Sequence, residues 1–177
     1  MRFIRTIAIG ALLLGLAYKL VQPRGGPSIG LVAPSISAPL LNGGTFDLAA
    51  HSGHVVVLDF WATWCPPCRR SLPALQRLHE RYKDSKDVVV ISVSQDKGAQ
   101  ASDRVRKYLS DRGFTFPVII DPSGIASRYG VSTIPTMVVI DPEGTVRTVQ
   151  VGLYSSDTDT IVDHVVQAVG IARQPRS

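Results

Sequence analysis

The seven-residue run Val55-Val56-Val57-Leu58-Asp59-Phe60-Trp61 is followed, three residues later, by Cys65-Pro66-Pro67-Cys68 and then by a helical pattern. This succession constrains the chain more than any other part of it. A continuous β-prone run without polar alternation is typical of a strand buried on both faces, at the centre of a covered sheet. From Pro66 to Lys83 the apolar residues Leu72, Leu75, Leu78 and Tyr82 share one helical face, which predicts a helix packed on that sheet. The two cysteines are the only ones in the chain. No scaffold of many disulfides can form, so the core must hold the fold. With 177 residues, 45% of them hydrophobic, the chain is long enough for one domain with such a core.

The flanking pattern completes an α/β order. Leu40 to Phe46, with Asn42-Gly43 between short apolar runs, predicts an N-terminal β-hairpin. Val88 to Val93 reads as a second buried strand. Ala99 to Arg112 reads as a helix stopped by Gly113. Phe116 to Ile120 predicts a strand ending in the turn Asp121-Pro122-Ser123-Gly124, and Ile125 to Tyr129 a short helix closed by Gly130. Thr136–Ile140 and Thr145–Val151, joined by Asp141-Pro142-Glu143-Gly144, predict an antiparallel pair. Ile161, Val162, Val165, Val166 and Val169 define the inner face of a C-terminal helix. A βαβ front followed by a ββα end implies a mixed central sheet with helices on both faces.

The N-terminal segment has a different character. Thr6 to Tyr18 carry no charge, with Arg2 and Arg5 before them and Lys19 after. One reading is a cleaved secretory signal. The other is a membrane anchor. The uncharged run is short of the ~20 residues of a spanning helix, but Phe3, Ile4, Leu20 and Val21 lengthen it and Arg5 and Lys19 can snorkel. No small-residue cleavage site follows the run, which favours the anchor. Either reading places the domain on the outer side of a cytoplasmic membrane. The expected organisation is an anchor or signal over 1–21, a Gly/Pro-rich linker over 22–30, a domain over 31–172 and a tail over 173–177. The formal charge is +5, and Arg2, Arg5 and Lys19 supply three of those charges without any acid, leaving +2 for the rest. That balance gives no electrostatic basis for nucleic-acid binding.

Cys65 follows a strand and opens a helix, where unpaired N–H groups and the positive dipole end meet. A thiolate is favoured there, and such cysteines have pKa values of roughly 3.5–7.5 instead of ~8.5. At neutral pH that sulfur can attack a disulfide, and Cys68, one turn later, can resolve the mixed disulfide. Pro66 suits the first helical position, and a residue before proline avoids the α region, which puts Cys65 at the cap. Pro66 and Pro67 supply no N–H, so the sulfur relies on the Cys68 amide and the dipole, and a moderate pKa depression is expected. Asp59 sits in the buried run. An isolated buried carboxylate is costly to ionise, so its pKa should rise; the other reading is a partly solvated residue at the strand's exit. Structural zinc needs four ligands. With one Cys pair, and His51, His54, His79 and His164 scattered, no metal site is expected. Trp61 reads as core.

The stretch Asp59-Phe60-Trp61-Ala62-Thr63-Trp64-Cys65-Pro66-Pro67-Cys68 closely resembles thioredoxin-family active sites. Pro73 matches that family's helix-kinking proline, and Ile134-Pro135-Thr136, directly before a strand, its cis-proline segment. LNGGTFDLAAHSGHVVVLDFWATWC, the middle insertion and Asp141-Pro142-Glu143-Gly144 resemble the membrane-anchored TlpA/ResA-like branch, over roughly residues 30–170. The resemblance implies a thioredoxin fold with a central helix–strand insertion. It implies a redox-active Cys65–Cys68 disulfide and no other cofactor. It implies a cis Pro135 facing the pair, and a substrate groove from Trp64, Pro66, Pro67, Thr133, Ile134 and Pro135, where a bound chain pairs by strand addition. Asp59 would act as acid and base for Cys68, through water. Arg69 and Arg70 are expected to be solvated.

Two departures matter. Many members of that branch carry Glu three residues after the second Cys, where this chain has Ser71, and Asn where this chain has Asp59. The acid/base group thus stands at the thioredoxin position, away from a direct copy of the cytochrome-maturation role. Peroxiredoxins, which share the fold, carry Pro and Thr seven and three residues before the reactive Cys. Here those positions are Leu58 and Ala62, so peroxidase activity is not expected. The function implied is reduction of disulfides in exported proteins, with cytochrome c maturation one candidate process. An oxidising exterior would then demand an electron donor, an integral-membrane thiol transporter. The alternative is a protein that holds copper or a client chain through the Cys pair without turnover. Soft thiolates suit Cu(I), but no Met-rich or His-rich arm accompanies them.

Overall fold

The computed structural model describes residues 28–121 and 123–175. The expected anchor over 1–21, most of the linker, Pro122 and the end of the tail lie outside the described residues. In chain order the elements are β1 (Ser37–Pro39), β2 (Thr45–Asp47), a 3₁₀ turn (Ala49–His51), β3 (Val55–Trp61), α1 (Pro66–Tyr82), β4 (Val88–Ser94), α2 (Ala101–Ser110), β5 (Val118–Ile120), α3 (Ile125–Arg128), β6 (Thr136–Ile140), β7 (Val146–Val151) and α4 (Thr158–Ala172). Among the described residues, no helix is long and apolar enough to cross a membrane.

All seven residues of β3 are buried. Successive side chains point to opposite faces, so Val55, Val57 and Trp61 enter one hydrophobic cluster and Val56, Leu58 and Phe60 the other. Asp59 belongs by the same alternation to the first face. The main sheet runs β5-β4-β3-β6-β7. β3 is parallel to β4 and antiparallel to β6, and β4 is parallel to β5. The connections β3–α1–β4 and β4–α2–β5 step the same way across the sheet, and right-handed crossovers therefore place both helices on one face. Leu72, Leu75 and Leu78 of α1, Val105 and Leu109 of α2, and Ile161, Val165 and Val169 of α4 share the cluster on that side.

The opposite face is covered differently. It carries the four-residue α3, with Ile125 and Ala126, and the separate β1–β2 hairpin, with Ala38 and Phe46. Helices thus lie on both faces, very unequally. The hairpin forms around the expected run, with Leu40 closing its turn by donating its N–H to the Gly44 carbonyl at 3.0 Å. The Leu41 N–H donates to the Val118 carbonyl at 2.7 Å, and Leu40 also bridges Ile119 of β5. Their contact covers part of the unpaired edge of β5, which would otherwise invite pairing with another chain. Gly43 and Gly44 make the turn with φ of +97° and +79°, a region only glycine enters without cost.

Candidate active site

The carboxyl end of β3 and the start of β6 lie side by side, with Phe60 paired to Thr136. The Cys65 loop leaves the first and the Pro135 turn enters the second, so the topology brings these two segments together. Cys65 has φ −92° and ψ 106°, extended rather than helical, and is the N-cap of α1, with Pro66 and Pro67 as the first helical residues. Its sulfur accepts the Cys68 N–H at 3.2 Å. That is the amide left available once two prolines occupy the first turn. Cys65 and Cys68 are joined as a disulfide, with Cα atoms 5.3 Å apart. Both are buried, Cys65 at 3% and Cys68 at 0% exposure. Attack from outside therefore meets the edge of Cys65 first.

The Ile134–Pro135 peptide is cis. The Ile134 carbonyl oxygen lies 3.7 Å from the Cys65 sulfur, close enough to accept from the thiol in the reduced state. Thr136 Oγ1 donates to the Thr133 carbonyl at 2.7 Å and the Gly152 N–H to the Pro135 carbonyl at 2.8 Å, pinning the turn at both ends. Trp64 is 61% exposed beside the motif, while Trp61 is fully buried against Tyr108 and Phe116. A groove of about 470 Å³ runs from Trp64 to Ile134, floored by Val131 and flanked by Gln95, Lys97 and Arg104.

Asp59 is 7% exposed. Burial pushes its carboxyl from the ordinary 3.8 up to about 7, because the charged form loses its hydration without gaining a partner. The partly solvated reading of this residue does not hold. Asp59 and Ser71 line one small cavity with Pro135. Ser71 Oγ donates to the Cys68 carbonyl at 2.9 Å and brings no second carboxylate. Arg69 and Arg70 are exposed, as expected, and Arg69 Nε also donates to the Thr63 carbonyl at 2.7 Å.

Asp96 was not singled out by pattern, yet it holds the Cys65 loop. Its side chain has no exposure. It accepts from the Thr63 N–H at 2.9 Å, Thr63 Oγ1 at 2.6 Å and Ser94 Oγ at 2.9 Å, with Arg104 at 3.9 Å. The available signal was positional: an Asp just past the carboxyl end of the strand next to the motif strand. Among the described residues no group of three His, Cys, Asp or Glu is placed to hold a metal.

A thioredoxin-type sheet with a Cys-x-x-Cys pair at a helix cap, beside a cis proline, defines a thiol–disulfide oxidoreductase. Residues 29–149 match the AhpC/TSA family. Thioredoxin-like protein YneN of Bacillus subtilis (strain 168) is 35% identical over 123 residues, covering 70% of this chain and 71% of that protein. Thiol-disulfide oxidoreductase ResA of Geobacillus thermodenitrificans (strain NG80-2) is 30% identical over 159 residues, covering 86% and 88%. A solved thiol:disulfide interchange protein of the thioredoxin family from Chlorobium tepidum TLS superposes with a TM-score of 0.64 at 29% identity, over 78% of this chain and 96% of that one. The chain belongs to the AhpC/TSA family of thioredoxin-like proteins, on its ResA-like branch.

Proposed function

We propose that this oxidoreductase works outside the cytoplasmic membrane, tethered by residues 1–21, and reduces disulfides in exported proteins. The observation that carries the reading is the capped sulfur of Cys65, bonded to the Cys68 amide and set against the Ile134 carbonyl. In the reduced enzyme the Cys65 thiolate attacks a client disulfide. One client sulfur leaves as thiolate and the other becomes bonded to Cys65. Asp59 takes the proton of Cys68, whose thiolate then attacks Cys65, forms the internal disulfide and frees the second client sulfur. Trp64, Pro66, Pro67, Thr133, Ile134 and Pro135 form the binding groove, and a client segment lies extended along the backbone beside Ile134. Lys97 and Arg104 at its flank favour segments with acidic side chains.

The Cys65–Cys68 disulfide is the redox group, and no other cofactor or metal is assigned. Return to the dithiol state draws on an integral-membrane thiol donor, because the surroundings are oxidising. Ser71 offers no carboxylate beside the pair, so among the described residues Asp59 is the carboxyl assigned to the site. This favours a reductase of broad client range over one dedicated to cytochrome c maturation. Leu58 and Ala62, both buried and apolar, weigh against peroxidase chemistry, since neither offers a hydroxyl to a peroxide. The test is insulin reduction by wild type and Cys65→Ser. Wild-type turnover with loss in the variant is expected, and equal rates in the two overturn the reading. A Cys68→Ala variant in the native cell should retain its clients as mixed disulfides for mass spectrometry.

A further inference from the structure

Three buried side-chain polar atoms have no hydrogen-bond partner among the described residues: Asp59 Oδ2, Trp61 Nε1 and His164 Nε2. Asp59 and His164 line the same cavity, of about 40 Å³. The two residues are far apart in sequence and arrive from different elements. β3 brings Asp59 and α4 brings His164. The loop after β7 adds Tyr154, the one other ionisable group on the wall, while α1, β6 and β7 contribute the uncharged Ser71, Met137 and Gln150.

Leaving a buried polar atom unpaired is costly, and a shared solution here is a water. Roughly 10–15 Å³ suffices for one, given two to four polar partners. The His164 ring is fixed by a stack on Tyr154, with centroids 3.9 Å apart and planes 16° apart. His164 is half-buried, whereas Asp59 has almost no contact with solvent. A carboxyl that takes a proton from Cys68 in such a place needs a way to lose it.

We propose that His164 is the outlet of a proton path that runs from Cys68 through Asp59 and a water held between Asp59 Oδ2 and His164 Nε2. The inference rests on the reading of Asp59 as the base for Cys68. In the mixed-disulfide state the Cys68 S–H bond breaks and its proton goes to the Asp59 carboxylate. The thiolate forms the bond to Cys65 as the Cys65–client bond breaks, and the client leaves as thiolate. The client disulfide is reduced, the dithiol is oxidised, and no further reductant enters. The proton on Asp59 then passes by way of the water to His164 Nε2, and the ring hands it on to solvent. His164 touches neither sulfur nor client and is a positioning residue.

The test separates the two sulfur steps. Reduced enzyme reacts with the aromatic disulfide DTNB to release one coloured thiolate when Cys65 attacks and a second when Cys68 resolves. Stopped-flow traces are compared for wild type, His164→Gln and His164→Ala. The expected result is an unchanged first release and a second release about tenfold slower at neutral pH, below the ~10²–10⁴ of a group that handles the reacting proton directly. Added imidazole should restore the second release in His164→Ala. A second release with wild-type rate and pH profile, or equal slowing of both releases, overturns the proposal. Wild-type insulin reduction stands apart as the check on the oxidoreductase reading itself. Where the variants fold poorly, both releases of wild type are timed in ordinary and in heavy water. A solvent isotope effect larger on the second release than on the first is expected, and equal effects on both overturn the path.

Discussion

Asp59 is the residue at which stability and chemistry oppose each other. The folded protein holds its carboxyl at about 7 against an ordinary 3.8. Between those values the native state keeps a proton that the unfolded chain has released, so stability falls as pH rises through the window and the loss is complete above about 7. Asp59→Asn removes the penalty. The oxidised variant should exceed wild type by roughly 2–4 kcal/mol in urea unfolding near pH ~8, with the two converging near pH ~4. The same change should slow resolution of the mixed disulfide, since it deletes the carboxylate proposed as the base for Cys68. At Cys65 the limiting feature is the pair of prolines. The sulfur accepts one amide, that of Cys68, where a capping side chain can also accept from the second helical residue. Pro67→Ala supplies that donor. Stabilising the thiolate stabilises the reduced form, so the reduction potential should rise by about 30 mV, equivalent to ~1.4 kcal/mol, measured against a glutathione series.

At the scale of elements, the loop before α1 depends on a strand it does not belong to. Asp96, just past β4, satisfies the Thr63 N–H and hydroxyl and the Ser94 hydroxyl. Asp96→Ala leaves buried donors unpaired and should cost about 2–4 kcal/mol of unfolding free energy, while lowering insulin reduction through looser placement of Cys65. The strands and long helices were legible in the sequence because their cause is local. The β3 run has no polar alternation, and the leucines of α1 recur at helical spacing. Boundaries were less legible. α2 is shorter than its apolar pattern by about a turn in total, since Ala99 and Gln100 precede its first turn and Asp111 and Arg112 follow its last. The contact of Leu40 and Leu41 with β5 was not legible, because that long-range pairing lies outside any local window. The role of Asp96, and the role proposed for His164, were not legible for the same reason. Each is an ordinary residue in its own segment and acquires a role only when another element delivers Thr63 or Asp59 beside it.

The whole molecule has two ends with different duties. Thr136 pairs with Phe60 near the active site, and Ile140 pairs with Val56 at the far end of β3. The turn after β6 therefore lies at the pole away from Cys65. There the incoming chain is fastened: Gly30 N–H donates to the Val146 carbonyl and Ala33 N–H to the Gly144 carbonyl, both at 2.8 Å, and Val146 N–H to the Leu31 carbonyl at 2.9 Å. Seven residues of strand separate the poles, roughly 20 Å at ~3.3 Å per residue. Residues 30–33 thus meet the domain at the end of β3 that lies away from Cys65 and Trp64. Among the described residues the core begins at Ala33, and residues 28–32 are exposed. Deleting residues 1–27 should therefore leave insulin reduction by the chemically reduced domain within about twofold of the full chain, since distant sites act independently. In cells the same deletion should abolish reduction of exported clients, because the segment proposed to carry the domain across the membrane is lost with it. A truncated protein with impaired insulin reduction would place part of the active machinery in the N-terminal segment and contradict this polarity.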